Sequence, residues 1–121
     1  MKTPSIREVY RIVSDAEWRE MRRSGMAPRR DIDRQDGYFH LSTKSQVLET
    51  ATLHFDRQTD LWVLAVPVDI LGDALKFEWA PKRGEAFPHY YGDLALDHVI
   101  RATPLIWRDG VFQFGEDEAV L

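Results

Sequence analysis

The sequence predicts an α+β domain with mixed or antiparallel sheets. The two segments that are predicted to form helices lie in the first half of the 121-residue chain, whereas most β-prone segments lie in the second half. This order disfavours the regular strand–helix alternation of parallel α/β folds. A chain of this length is typical of one domain, so we predict a single domain over residues 1–121, with two helices in its N-terminal half.

The first predicted elements are a strand and a helix. Val9–Val13 is β-prone, and Ser14 and Glu17 follow it with the S-x-x-E spacing of a capping box. Gly25 suits the left-handed position just after a helix. The charged stretch Ala27–Asp36 that follows is predicted as a loop.

A second strand and helix come next. Tyr38–Leu41 is predicted as a strand, and Thr43 and Gln46 form a second capping box, so a helix should begin near Ser42 or Thr43. The apolar residues of this helix recur on one face: Val47, Leu48, Ala51 and Phe55.

The second half is predicted to be rich in strands. Leu61–Val68 is short and apolar throughout, which favours a buried strand, and Asp69–Asp73 is predicted as a turn. Leu75–Trp79 is a short strand candidate. Phe87–Gly92 is dense in aromatic rings and is predicted as a shaped loop.

A hairpin is predicted near the C-terminus. Val99–Arg108 is a long strand candidate that Pro104 is expected to break. Asp109-Gly110 is a strong two-residue turn signal, and it connects this strand to Val111–Phe114.

Composition excludes several classes of protein. The chain has no cysteine, so disulfides, a cysteine nucleophile and a cysteine-ligated zinc site are excluded. Its formal charge of −4 disfavours duplex DNA as a partner. The longest apolar run, Leu61–Val68, is far shorter than the ~20 residues that span a bilayer, so no membrane partner is expected. We therefore predict a cytoplasmic protein of undetermined oligomeric state.

The first candidate site lies where the second strand meets the second helix. Side chains alternate along a strand, so Tyr38, His40 and Ser42 should share one face while Phe39 and Leu41 enter the core. The helix start at Ser42 and Thr43 would offer free N–H groups to a phosphate or carboxylate. The alternative is that His40 is a half-buried structural histidine and that the hydroxyls only cap the helix.

The second candidate site is the ring-rich segment. Pro88 and Gly92 flank His89, Tyr90 and Tyr91, whose rings can stack on a planar ligand and hydrogen-bond at its edge. The alternative is an aromatic plug at the end of a sheet. Two histidines, each among ring-bearing residues, favour one shared pocket.

Arg11 and a metal site complete the candidates. Arg11 has apolar neighbours in its strand, so it either faces solvent or enters a polar pocket, where its planar guanidinium suits a phosphate or carboxylate. His40, His89 and Glu85 offer an alternative use as a His-ligated metal site, although no compact metal-binding spacing is present.

The chain resembles the bacterial family catalogued as domain of unknown function 952. The resemblance extends from Val9 to about Leu105 and rests on two groups of motifs. The first comprises Val9-Tyr10-Arg11-Ile12-Val13, Glu17-Trp18, Gly37-Tyr38-Phe39-His40-Leu41-Ser42-Thr43 and Gln46-Val47, and the second is Phe87-Pro88-His89-Tyr90-Tyr91-Gly92-Asp93-Leu94.

The resemblance implies a fold related to the ADP-ribosyltransferases. Arg11 then matches the arginine of their first strand, and Gly37-Tyr38 with Ser42-Thr43 is similar to their later serine- and threonine-bearing strand. The position of their catalytic glutamate falls near His89, which leaves open whether Glu78 or Glu85 replaces it. The tRNA 2′-phosphotransferases, which use Arg and His residues, are another branch of this fold.

These observations predict one cleft that binds NAD or another small nucleotide-like ligand. In it, His40 and His89 would be catalytic. The ligand-binding residues would be Arg11, Tyr38, Ser42, Thr43, Tyr90 and Tyr91. The chemistry would be ADP-ribosyl or 2′-phosphate transfer. The alternatives are a non-catalytic binding module and a small His-ligated metalloprotein.

Overall fold

Eight strands and four α-helices form within residues 6–116 and 118–119, which are the residues that this computed structural model describes. In chain order the elements are β1 (Glu8–Ser14), α1 (Asp15–Ser24), α2 (Asp31–Asp36), β2 (Phe39–His40), α3 (Lys44–His54), β3 (Leu61–Pro67), α4 (Val68–Leu71), β4 (Leu75–Ala80), β5 (Glu85–Tyr90), β6 (Arg101–Arg108), β7 (Val111–Phe114) and β8 (Glu118–Ala119). The predicted α+β class is confirmed.

The larger sheet is antiparallel, with strand order β1-β3-β6-β7 and β8 pairing with β6. One of its two inner strands, β3, is the predicted buried strand, and it ends at Pro67. Its residues are apolar throughout because both faces of the sheet are covered. Leu64 and Val66 pack on one face in a core with Trp18 of α1, whereas Val63 packs on the other face in a core with Val47 of α3.

The smaller sheet has the order β2-β5-β4 and carries both predicted motifs. Phe39 pairs with Tyr90, and His40 pairs with His89. Backbone hydrogen bonds of 2.8 Å in both directions between Tyr10 and Ser42 join the chain after β2 to β1. This junction fixes the smaller sheet beside the larger one.

Two predicted irregular segments contain helices. The stretch predicted as a loop holds α2, whose start is stabilised because Asp33 accepts a hydrogen bond from the backbone N–H of Arg30 at 2.8 Å. Gly37, with a φ of 82°, ends this helix. The predicted turn after β3 begins with α4. The prediction of two helices in the N-terminal half is thus too low, because α1, α2 and α3 all lie there.

The ring-rich segment predicted as a loop is mostly strand. Residues up to Tyr90 belong to β5, which pairs along its whole length with β4. Pairing with strands on both sides supplies backbone partners that the sequence of the segment does not reveal.

Pro104 does not break β6. Its carbonyl accepts a hydrogen bond from the N–H of Gly115 at 2.8 Å. The N–H and C=O of one residue in an antiparallel strand point to the same side, so the N–H that proline lacks lies on the side away from β3. The predicted hairpin that follows is confirmed, with φ values of 55° at Asp109 and 80° at Gly110.

Within the described residues, no helix is long and apolar enough to cross a membrane.

Candidate functional site

The structure brings the two predicted histidines together. His40 on β2 and His89 on β5 are cross-strand partners, and their ring centroids lie 5.8 Å apart. Tyr38 lies against both, with its ring stacked at 4.0 Å on His89 and tilted at 4.6 Å from His40. The predicted burial of Phe39 and Leu41 on the opposite face is confirmed, at 1% and 3% exposure. The smaller sheet therefore presents a contiguous cluster of polar rings.

Carboxylates hold His40 at both ring nitrogens. Its Nδ1 lies 2.8 Å from Oδ1 of Asp33, and its Nε2 lies 2.8 Å from Oδ2 of Asp36. A carboxylate that is ionised only accepts hydrogen bonds, so both bonds form together when both ring nitrogens carry a proton. The ring is thereby fixed in orientation.

Asp33 is the buried anchor of the site, with no exposed surface. Arg11 donates to it through Nη1 and Nη2, at 3.2 and 2.7 Å. Burial acts to raise the pKa of Asp33, but hydrogen bonds from His40 and Arg11 outweigh it and lower this pKa below its usual range. Asp33 is therefore an ionised partner for both residues at neutral pH.

Arg11 enters a buried polar pocket, the second of the two outcomes that its sequence context allowed. Its side chain is 1% exposed, and it also donates to the backbone carbonyl of His40 at 3.1 Å. The guanidinium supports the histidine from behind and does not line the cleft described below. A direct role of Arg11 in ligand binding stays a prediction.

His89 has its own carboxylate partner. Its Nδ1 lies 2.8 Å from Oε1 of Glu78, and the hydroxyl of Tyr91 donates to the same oxygen at 2.6 Å. Hydrogen bonds from Tyr91 and His89 lower the pKa of Glu78, and the bond to Glu78 raises the pKa of Tyr91 to about 12. Glu85, the other glutamate left open by the sequence, lies at the start of β5 and accepts a hydrogen bond from Gln46 at 3.2 Å.

The remaining predicted ligand-binding residues divide between different places. Tyr91 joins the cluster, with its ring 5.2 Å from Tyr38, whereas Tyr90 is buried in the core on the opposite face. Ser42 is buried at the edge of the cleft, and its hydroxyl donates to Thr50 at 3.3 Å. Thr43 caps α3 and lines a separate hollow of about 510 Å³.

A cleft of about 690 Å³ lies in front of the two histidines. Its size falls within the range of roughly 300–1,000 Å³ that is common for small-molecule sites. The lining includes three large apolar rings, Phe55, Trp79 and Phe87. It also includes three cationic side chains, Arg30, Lys82 and Arg83, and one carboxylate, Asp36. Of these residues, only Phe87 lies in a segment that the sequence assigned to the site.

Comparisons with known proteins place the chain in a family. The family model described as protein of unknown function (DUF952) matches residues 12–102. The chain belongs to the DUF952 family. The matched span contains both histidines and their carboxylate partners.

Solved structures similar to this DUF952 chain come from Caulobacter crescentus. The crystal structure of protein CC0527 has a TM-score of 0.80 and 38% identity, covering 88% of this chain and 93% of that chain. A crystal structure of its double mutant has a TM-score of 0.80 and 37% identity, with the same coverage of both chains. The solution NMR structure of CC0527 has a TM-score of 0.77 and 38% identity, covering 88% of this chain and 91% of that chain. No curated protein matches the chain.

The same geometry bears on the metal-site alternative for this DUF952 chain. Among residues 6–116 and 118–119, no group of three or more His, Asp and Glu side chains is placed to hold a metal ion. Glu85, the carboxylate considered for such a site, bonds to Gln46 instead of approaching the histidine pair.

Proposed function

We propose that this DUF952 protein binds NAD or a related nucleotide in the cleft before His40 and His89, on an ADP-ribosyltransferase-like fold. One observation carries the proposal: two cross-strand histidines, with Tyr38 against both, line a cleft of small-molecule size. These side chains combine hydrogen-bonding groups with aromatic ring surfaces, and a nucleotide likewise combines polar groups with a planar base.

The rest of the cleft supports a ligand with both rings and phosphates. Trp79 is 66% exposed at the cleft and offers a stacking surface for a base or a nicotinamide ring. Lys82 lines the same cleft and offers positive charge to phosphates. Arg83 lines it as well, with part of its charge balanced by an ion pair with Glu49 at 2.9 Å. The cleft thus offers a stacking surface for the base and cations for the phosphates of the predicted nucleotide.

Glu78 supports ADP-ribosyl-type chemistry. When nicotinamide leaves NAD with the bonding electron pair, positive charge develops on the ribose carbon, and a nearby carboxylate stabilises that charge. Glu78 does not line the cleft itself, but it is bonded to His89, which does, and its lowered pKa keeps it ionised at neutral pH. Of the two glutamates left open by the sequence, we therefore propose Glu78. Phosphate transfer from a ribose 2′ position is the second reaction that a histidine pair suits.

A non-catalytic binding module is the second candidate, because both ring nitrogens of His40 are already bonded to carboxylates. A histidine in this state has no free lone pair with which to accept a proton. The module would bind the same ligand without converting it.

Calorimetric titration with NAD, ADP-ribose and a 2′-phosphorylated nucleotide tests the proposal. We expect at least one of them to bind, and Trp79→Ala to weaken it about tenfold, because stacking on an aromatic ring contributes about 1–3 kcal/mol per base. Phe77→Ala is the matched control, since Phe77 is an exposed ring on the same strand that does not line the cleft. Failure of all three ligands to bind at millimolar concentration would contradict the proposal.

Long incubation with the bound ligand separates the two candidates. With water as the acceptor, an enzyme releases nicotinamide from NAD or phosphate from the 2′-phosphorylated nucleotide, and chromatography detects either product. Glu78→Gln should abolish the release of nicotinamide, whereas Glu85→Gln should not. Binding with no product in the native protein supports the module.

A further inference from the structure

We infer that Nε2 of His40 binds an anionic group of the ligand, a phosphate or a carboxylate, and that Asp36 occupies this position until the ligand displaces it. The inference rests on the proposed function and adds to it the point at which the ligand's negative charge is held. The ligand's negative charge is then held at His40, and not at Arg11 or at the start of α3.

Buried residues fix the orientation of the His40 ring on the side away from the cleft. Asp33 takes Nδ1 at 2.8 Å and is itself fixed by two hydrogen bonds from Arg11. Since Asp33 and Arg11 are both buried, this side of the ring has no freedom to rearrange. The Nε2 atom of His40 therefore donates on the side of the cleft, where its partner is the carboxylate of Asp36.

Asp36 differs from Asp33 in being replaceable. Its side chain is 31% exposed, and it is the last residue of α2, directly before Gly37. Rotation of this side chain into solvent costs little, because a solvated carboxylate keeps its hydrogen bonds with water. An arriving anion would then find the Nε2–H donor already oriented.

The hydroxyl of Tyr38 offers a second donor, because it also hydrogen-bonds to Asp36. Its ring lies 4.6 Å from that of His40. Burial, followed by the charges of Asp36 and Glu78, raises the pKa of Tyr38, so the phenol stays protonated. A protonated phenol can donate to the oxygen of a bound anion.

The charges of the cleft favour an anion over a neutral ligand at this point. Asp36 is the one carboxylate among the residues that line the cleft, which also include the cations Arg30, Lys82 and Arg83. Arg30 pairs with Glu17 and Arg83 with Glu49, so His40 and Lys82 carry most of the attraction for an anion. A phosphate or carboxylate that displaces Asp36 therefore restores the negative charge that the Nε2–H donor of His40 would otherwise lose. A neutral ligand would leave the His40 donor without its anionic partner.

Titration of Asp36→Asn with inorganic phosphate, and separately with acetate, tests this inference and identifies the preferred anion. Removal of the competing carboxylate should strengthen anion binding about tenfold over the native protein. Asp31→Asn is the matched control, because it makes the same charge change on the same helix at a side chain that is 98% exposed and pairs with Arg34. We expect this control to bind as the native protein does.

Two further readouts place the anion at His40. The ring ¹⁵N resonances of His40 should shift on titration, and His40→Asn should lose the binding, because its amide can bond to Asp33 but cannot reach into the cleft. Unchanged or weaker binding in Asp36→Asn, or no anion binding at all, overturns the inference. If NAD or ADP-ribose binds with no effect of Asp36→Asn, only this inference fails; if phosphate binds at His40 while no nucleotide binds, only the proposed function fails.

Discussion

At the scale of single residues, Asp33 connects two side chains that the sequence singled out separately. It bonds to Arg11, 22 positions earlier, and to His40, seven positions later. A buried charge is tolerated when its hydrogen bonds are satisfied, and Asp33 also accepts from the backbone of Arg30. Arg11 therefore acts on the histidine through the carboxylate between them.

Asp33 should also make the free energy of unfolding fall as the pH is lowered. Its pKa is lowered in the folded state, from about 3.9 in an unfolded chain. Its contribution is therefore fully present above about pH 4 and is lost as the pH falls through the lower folded pKa. Urea unfolding between pH 6 and pH 2 should show a shallower fall in stability for Asp33→Asn than for the native protein, with a loss of about 3–5 kcal/mol at neutral pH.

The exposed Asp31 provides the control for this experiment. Asp31→Asn should keep the native acid dependence and change the free energy of unfolding by less than about 1 kcal/mol. An Asp33→Asn variant that loses stability in acid as steeply as the native protein would show that Asp33 is not the group responsible.

At the scale of elements, α2 explains why His40 has two acidic partners. Asp33 and Asp36 are three positions apart on this helix, a spacing that places both on one face. Gly37 ends the helix in a left-handed conformation and directs the chain into Tyr38 and β2. The geometry of the site thus depends on a six-residue helix and the glycine that ends it.

Substitution of Gly37 should reveal this dependence. A Cβ atom at Gly37 meets nothing within 4 Å, so any loss of stability arises from its positive φ alone. We expect Gly37→Ala to cost about 1–2 kcal/mol and Gly37→Asn to cost less, because asparagine tolerates this conformation better. Thermal and urea unfolding measure both variants, and equal losses would contradict the conformational explanation.

At the scale of the whole molecule, the larger sheet separates two cores. Leu94 belongs to the core shared with α1 and the smaller sheet, whereas Leu61 belongs to the core beneath α3. The smaller sheet contributes Phe39 and Tyr90 to the first core, so packing there also holds the histidine-bearing strands. Because β1 and β3 contribute to both cores, the two should unfold together.

Truncation of one leucine in each core tests this cooperativity. Leu94→Ala and Leu61→Ala should each destabilise the protein by about 2–5 kcal/mol, while Leu53→Ala, at a side chain that is 56% exposed, should have little effect. Circular dichroism and tryptophan fluorescence should report one coincident transition in every variant. Separate transitions would contradict the prediction of a single domain.

Local signals in the sequence predicted much of the fold. The capping box of Ser14 and Glu17 located the start of α1, and Asp109-Gly110 located the last hairpin. Alternation along residues 38–42 placed Phe39 in the core and His40 on the face that borders the cleft. These features depend on hydrogen bonds and side-chain directions within a few residues, so the chain displays them directly.

The sequence by itself thus determined the α+β class, the principal strands and helices, and the residues Tyr38, His40, His89 and Tyr91 as candidates for one site. Only the tertiary structure decided that Arg11 is buried against Asp33, that α2 forms, and that Glu78, rather than Glu85, reaches His89. These outcomes depend on partners from distant parts of the chain. A six-residue helix has too little local stability to be read from its sequence, and the partner of a charge is fixed only when the strands and helices pack together.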